Sequence, residues 1–188
     1  MSTTAGRPVS AAAAGIFAIA LLSACGLNAG TSAAITDSSH ALREQCDRTL
    51  NFFSKDLGIS AVHIEYGSEK PDAKIARGAA CTITQDSLVG VGQTRLRAML
   101  SSESDPALLK DDPDYIPQSG YDEKVWIKKA DDAVRIATKV DGWQGTLTIN
   151  TALIKTKTGE SNFKVSDQQI RTASQFLITL TKELGSQG

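Results

Sequence analysis

Hydrophobic positions recur along this chain in three rhythms. Residues 11–22, AAAAGIFAIALL, form an unbroken apolar run between a polar segment carrying Arg7 and the small residues Ser23 and Ala24. From Leu42 a helical rhythm takes over: Leu42, Cys46, Leu50, Phe53 and Leu57 predict an amphipathic helix. Ser39 is the expected cap, Glu44 suits the positive end, and Gly58 is the expected stop. The rhythm returns in Ile170, Ala173, Leu177, Leu180 and Leu184. Here Ser166 and Gln169 fit a capping box, and Val165 with Ile170 fits a hydrophobic staple. Lys182 lies in the last turn and Gly185 stands where a left-handed C-cap is expected, so a helix is predicted over 167–184.

Between the helices the rhythm shortens to two. Val134, Ile136, Thr138 and Val140 alternate with Arg135, Ala137 and Lys139, the mark of a half-buried strand. Segments 59–66, 79–85, 91–100, 125–128 and 146–155 also read as strands, and 157–161 as a loop. A turn is expected over 141–145, with Trp143 at its tip. Residues 101–123 hold Pro106, Pro113 and Pro117 and read as a surface linker with a short helical turn over 106–110. Helix, strands, helix in this order predicts an α+β domain. The expected architecture is an antiparallel sheet of about five to six strands with an N-terminal and a C-terminal helix packed on it.

The apolar run is about 12 residues, short of the roughly 20 that a spanning helix needs. Its basic residue, apolar core and small residues form the signal-peptide pattern. Leu22-Ser23-Ala24-Cys25 resembles the lipobox of bacterial lipoproteins. The resemblance implies a diacylglycerol thioether on Cys25 and cleavage after Ala24. The acyl chains, at about 0.8 kcal/mol per buried methylene, would then anchor the protein on the outer face of the cell membrane. An ordinary secretory signal cut near Ala24 is the plainer alternative. The expected organisation is a lipoprotein signal peptide over 1–24, a lipidated cysteine and flexible tether over 25–39, and one α+β domain over 40–188.

If Cys25 carries lipid, Cys46 and Cys81 remain as a pair. Cys46 sits on the apolar stripe of the first helix, and Cys81 is in phase with Ala79 and Ile83 on a strand. An oxidising compartment permits a Cys46–Cys81 disulfide between them. Two buried free thiols are the other reading. No histidine stands at ligand spacing from either cysteine, so neither a metal site nor a cofactor is expected.

The net charge is −1 for the whole chain and −2 once residues 1–24 with Arg7 are set aside. Such a chain offers no excess of cations for nucleic acid, which is not an expected partner. His40 reads as a solvated helix start and His63 as a sheet-surface residue. The chain carries no G-x-S-x-G, and Gly90-x-Gly92 lacks the rest of a phosphate loop. Asp111, Asp112 and Asp114 are crowded, but Tyr115, Ile116 and Pro117 follow where a calcium loop needs further oxygen ligands, so a solvated acidic loop is expected. Asp131 and Asp132 read as a turn. Trp126, between Val125 and Ile127, is assigned to the core, and Trp143 is either a partner contact or folded back over the sheet edge.

With one cysteine on a helix, another on a strand and an Ala-rich signal, the chain loosely resembles the small envelope lipoproteins of mycobacteria and related actinobacteria. That resemblance brings no catalytic residue with it. The expected function is a lipid-anchored, non-catalytic binding or accessory module that contacts an envelope protein, a glycan or a small ligand. A carrier of an apolar ligand in a helix–sheet cavity is the alternative, and an anchored hydrolase a third.

Overall fold

The computed structural model describes residues 38–185 apart from 86–87, 101–102, 104, 107, 153 and 157–158. The expected signal peptide, Cys25 and most of the tether lie outside the described residues. Helix α1 spans Leu42–Asn51 and runs into a π-helical turn over Phe52–Asp56. Strands follow at Val62–Glu65 (β1), Gly78–Gln85 (β2) and Leu88–Ala98 (β3). The short helix α2 (Leu108–Asp111) and strand β4 (Ile116–Gln118) come next. Then come β5 (Lys124–Lys129), β6 (Ala133–Val140) and β7 (Trp143–Asn150). The hairpin β8–β9 (Ile154–Thr156 and Gly159–Ser161) precedes helix α3 (Asp167–Gly185).

The fold is α+β, as the order of elements predicts. The main sheet is antiparallel with order β1-β2-β3-β7-β6-β5-β4, seven strands rather than five to six. The additional strand, β4, lies inside the proline-containing linker. Pro117 donates no ladder hydrogen bond, and β4 is an edge strand, where that loss is tolerated. The segment expected as a loop after residue 156 holds β9, paired with β8 in a separate two-stranded sheet.

Helix α3 forms for the reasons its sequence gives. Ser166 Oγ accepts from the Gln169 amide at 3.2 Å, and Gln169 Oε1 accepts from the Ser166 amide at 2.9 Å. Its apolar stripe is buried on β6 and β7. Helix α1 starts differently from expectation. Ser39 is not its cap; the cap position is Ala41, without a side-chain bond. Backbone carbonyls do the work instead: the Leu42 amide donates to Ala73 O at 2.8 Å and the Arg43 amide to Pro71 O at 2.7 Å.

Residues directly opposite in the register share a face of the sheet. One face carries Cys81, Ile83, Thr94, Leu96, Leu147, Ile149, Val134 and Ile136 and is covered by α1 and α3. Gly92 lies on this face because Phe53 occupies the place of its side chain: a Cβ there would come within 2.0 Å of the Phe53 ring. Phe52 stacks on Phe176 of α3 at 4.4 Å between ring centres.

Candidate binding surfaces

Cys46 and Cys81 are joined by a disulfide with Cα atoms 5.3 Å apart, tying α1 to β2. Both are fully buried. Trp143 is not at a turn tip. The turn is the dipeptide Asp141-Gly142, both with positive φ, and Trp143 is the first residue of β7. It is 5% exposed and lies against Gly185, where a Cβ would come within 2.6 Å of the indole. That ring closes the core. Gly185 is needed for this close approach at the end of α3, not for a left-handed cap. Trp126 is also displaced from expectation: it is half-buried and shares the uncovered face of the sheet with Lys124 and Lys128.

The histidines do not converge. His63 is exposed on edge strand β1, whereas His40 Nδ1 pairs with Glu44 at 2.7 Å. This hydrogen bond holds the Glu44 carboxyl below the usual range, with further help from Arg48. Asp131 and Asp132 are exposed in the turn before β6. Among the described residues no group of three His, Cys, Asp or Glu side chains is placed to hold a metal ion. None of their helices is long and apolar enough to cross a membrane.

Two surfaces stand out among the described residues. The first is an open groove of about 1020 Å³ between the β4–β5 edge and the N-terminal half of α3. It forms because α3 lies over β6 and β7, leaving the outer strands of the covered face without a lid. Ile116, 63% exposed, lines it with Ile127, Tyr121 and Ile170, and the amides of Gln118 and Gln175 stand among them. The volume suits a small ligand or a stretch of polymer.

The second surface is the uncovered face of the sheet. The register places Arg95 and Arg97 of β3, Arg135 and Lys139 of β6, and Lys124 and Lys128 of β5 on it. The acidic linker crosses this face as a strap. Glu103 takes both oxygens to Arg97 at 2.8 and 2.7 Å, and Asp105 meets Lys124 at 3.2 Å. Asp112 and Asp114 meet Lys128 at 2.8 and 3.0 Å. The acidic cluster thus reads neither as a calcium loop nor as a free solvated one; Asp112 and Asp114 share a lysine. The side chain of Asp111 lies outside the described residues.

No protein family matches this chain. No curated protein and no solved structure is similar to it at a significant level. The groove and the strapped face therefore rest on their own geometry.

The strap has a pH signature. The hydrogen bond from Lys128 holds the Asp112 carboxyl below the ordinary aspartate range, and Asp112 in turn raises the Lys128 ammonium. A depressed acid stabilises above its unfolded value, and this contribution is lost as pH falls through the folded one. A raised lysine loses its contribution only as pH rises through its folded value, in strong alkali. Amide exchange at Glu103, Leu109 and Asp114, whose N–H groups are hydrogen-bonded, corrected for intrinsic rates, should therefore stay slow at neutral pH and accelerate below about pH 4. Unchanged protection down to pH 2.5 would show that these ion pairs do not hold the strap.

Proposed function

We propose that this chain is a lipid-anchored, non-catalytic binding module of the cell envelope, held by Cys25 and offering the α3–β4 groove to an envelope glycan. The observation that carries the reading is the Cys46–Cys81 bond. A disulfide persists where thiols are not kept reduced, which supports export. Export supports reading the apolar run over 11–22 as a signal and Leu22-Ser23-Ala24-Cys25 as a lipidation site. The groove supports binding: amides of Gln118 and Gln175 can meet hydroxyl groups, while Ile116 and Tyr121 suit the apolar faces of sugar rings. Its sideways opening to solvent favours this over an enclosed carrier, since Phe52, Phe53 and Leu177 fill the layer between helices and sheet.

Cys25→Ser tests the anchor. The wild-type chain should sediment with membranes, cut and acylated; the variant should be uncut and unacylated. A variant that is still cleaved and lipidated would end this reading. Tyr121→Ala together with Ile116→Ser tests the groove. Binding of envelope polysaccharide fragments, followed by calorimetry, should weaken at least about tenfold if the groove's apolar contacts contribute 1.4 kcal/mol or more. Unchanged affinity would remove the groove from the account.

A further inference from the structure

The uncovered sheet face breaks a rule of strand pairing. Lys124 stands directly opposite Lys139, and Lys128 directly opposite Arg135. Like charges in such positions destabilise a sheet, and local rules broken in this way mark functional sites. Arg95, across β7 from Ala137 on the same face, and Arg135 form no ion pair among the described residues. Trp126 lies in the row between the two lysines of β5. Under the strap, Gln144 is 7% exposed and its Oε1 has no hydrogen-bond partner; nor has Nε of Arg97, the residue paired with it across the strands. The strap carboxylates match the cations without saturating the site.

We propose that this face is a docking surface for an anionic phospholipid bilayer, and that the 103–115 strap is its intramolecular cover. The cations lie on the neighbouring strands β5 and β6, about 4.8 Å apart, and on β3 beyond β7, standing two residues apart along β3 and four apart along β5 and β6. Such an array suits a plane of phosphates better than a single anion, which needs converging ligands. Each basic residue near an anionic membrane contributes about 1 kcal/mol, and the ion pairs to the strap are all at least partly open to solvent, which limits what each contributes. A surface dense in phosphate can therefore displace the four strap carboxylates. The indole of Trp126 has an apolar body and a polar N–H, as side chains at the headgroup level do. Cys25 precedes Ser38 by 13 positions, enough chain to reach about 45 Å when extended. The proposal rests on the anchored reading only for delivery to the membrane, so its test leaves the anchor out.

The full-length Cys25→Ser chain is mixed with vesicles of zwitterionic phosphatidylcholine, alone or with 30% phosphatidylglycerol. The apolar run binds both kinds, Arg7 and the terminal amine beside it favour the anionic one, and the part of the difference lost on substituting the face arginines reports the face. The proposal expects tighter binding to anionic vesicles that weakens with salt. Arg95→Glu with Arg135→Glu should weaken this binding more than about tenfold. Both residues are at least partly exposed, so these changes leave the core intact. Glu103→Gln with Asp112→Asn and Asp114→Asn should strengthen it about fivefold or more by freeing Arg97 and Lys128. Equal binding to the two vesicle types, or anionic binding indifferent to the arginine pair, would overturn the docking surface. So would capture of poly-glutamate without vesicle binding. No gain in the strap variant would overturn the strap as cover. If Cys25 proves unlipidated while the arginine-dependent vesicle binding holds, the anchor falls and this surface stands.

Discussion

Replacing Cys46 and Cys81 together with alanine should lower the stability of the domain by about 3–4 kcal/mol. The bond spans a sequence separation of 35, and the entropy of closing such a loop sets that figure. For a domain of this length the change moves the melting midpoint by about 10 °C. The bond joins α1 to β2, while α3 is held chiefly by β6 and β7. Loss of the bond should therefore loosen α1 before α3. Denaturant titration of the oxidised and doubly substituted chains gives the free energy, and amide exchange locates the loss. A change below about 1 kcal/mol, or early exchange in α3 instead of α1, would show that the helix–sheet contacts suffice without the bond.

Gly92→Ala should cost about 3 kcal/mol, the upper end of overpacking a core. A Cβ at this position would lie 2.0 Å from Phe53 Cζ and 2.6 Å from the Thr148 carbonyl oxygen. Phe53 is fully buried, so its ring has nowhere to move, and the carbonyl belongs to the neighbouring central strand. The residue must therefore be glycine because of what stands next to it, not because of its backbone angles. Phe53→Leu in the Gly92→Ala background should recover part of the loss, with a coupling above about 0.5 kcal/mol, because it removes one of the two obstacles. Additive effects would mean that the ring and the glycine do not meet.

Much of this was legible where several signals agree on one element. In α3 the capping box, the staple, the apolar stripe and the terminal lysine coincide. The disulfide partners were legible because Cys46 falls on a helical stripe and Cys81 on a strand alternation. The two tryptophans were misplaced, and period-two counting held the correction. Trp143 is in phase with Leu147 and Ile149, which puts it on the buried face. Trp126 is out of phase with Val125 and Ile127, which puts it on the open one. A turn of two residues in place of five decided the first case. Ser39 failed as a cap because carbonyls from the 71–73 segment reached the helix start first, a contact with no local signature.

The surfaces were less legible still. Arg95, Arg97, Arg135 and Lys139 alternate with buried residues on their own strands, so each was foreseeable as outward-facing. Their assembly into one face depends on β7 lying between β3 and β6, and strand order is not written in alternation. The groove likewise depends on where α3 lies relative to β4, a strand that its own proline concealed.

Intact mass of the protein extracted from membranes tests the central claim most directly. The account predicts a chain that begins at Cys25, lacks the 24 preceding residues, and carries the mass of two or three acyl chains with one disulfide. A chain that keeps Met1 through Ala24, or that begins at Cys25 without acyl mass, would contradict it.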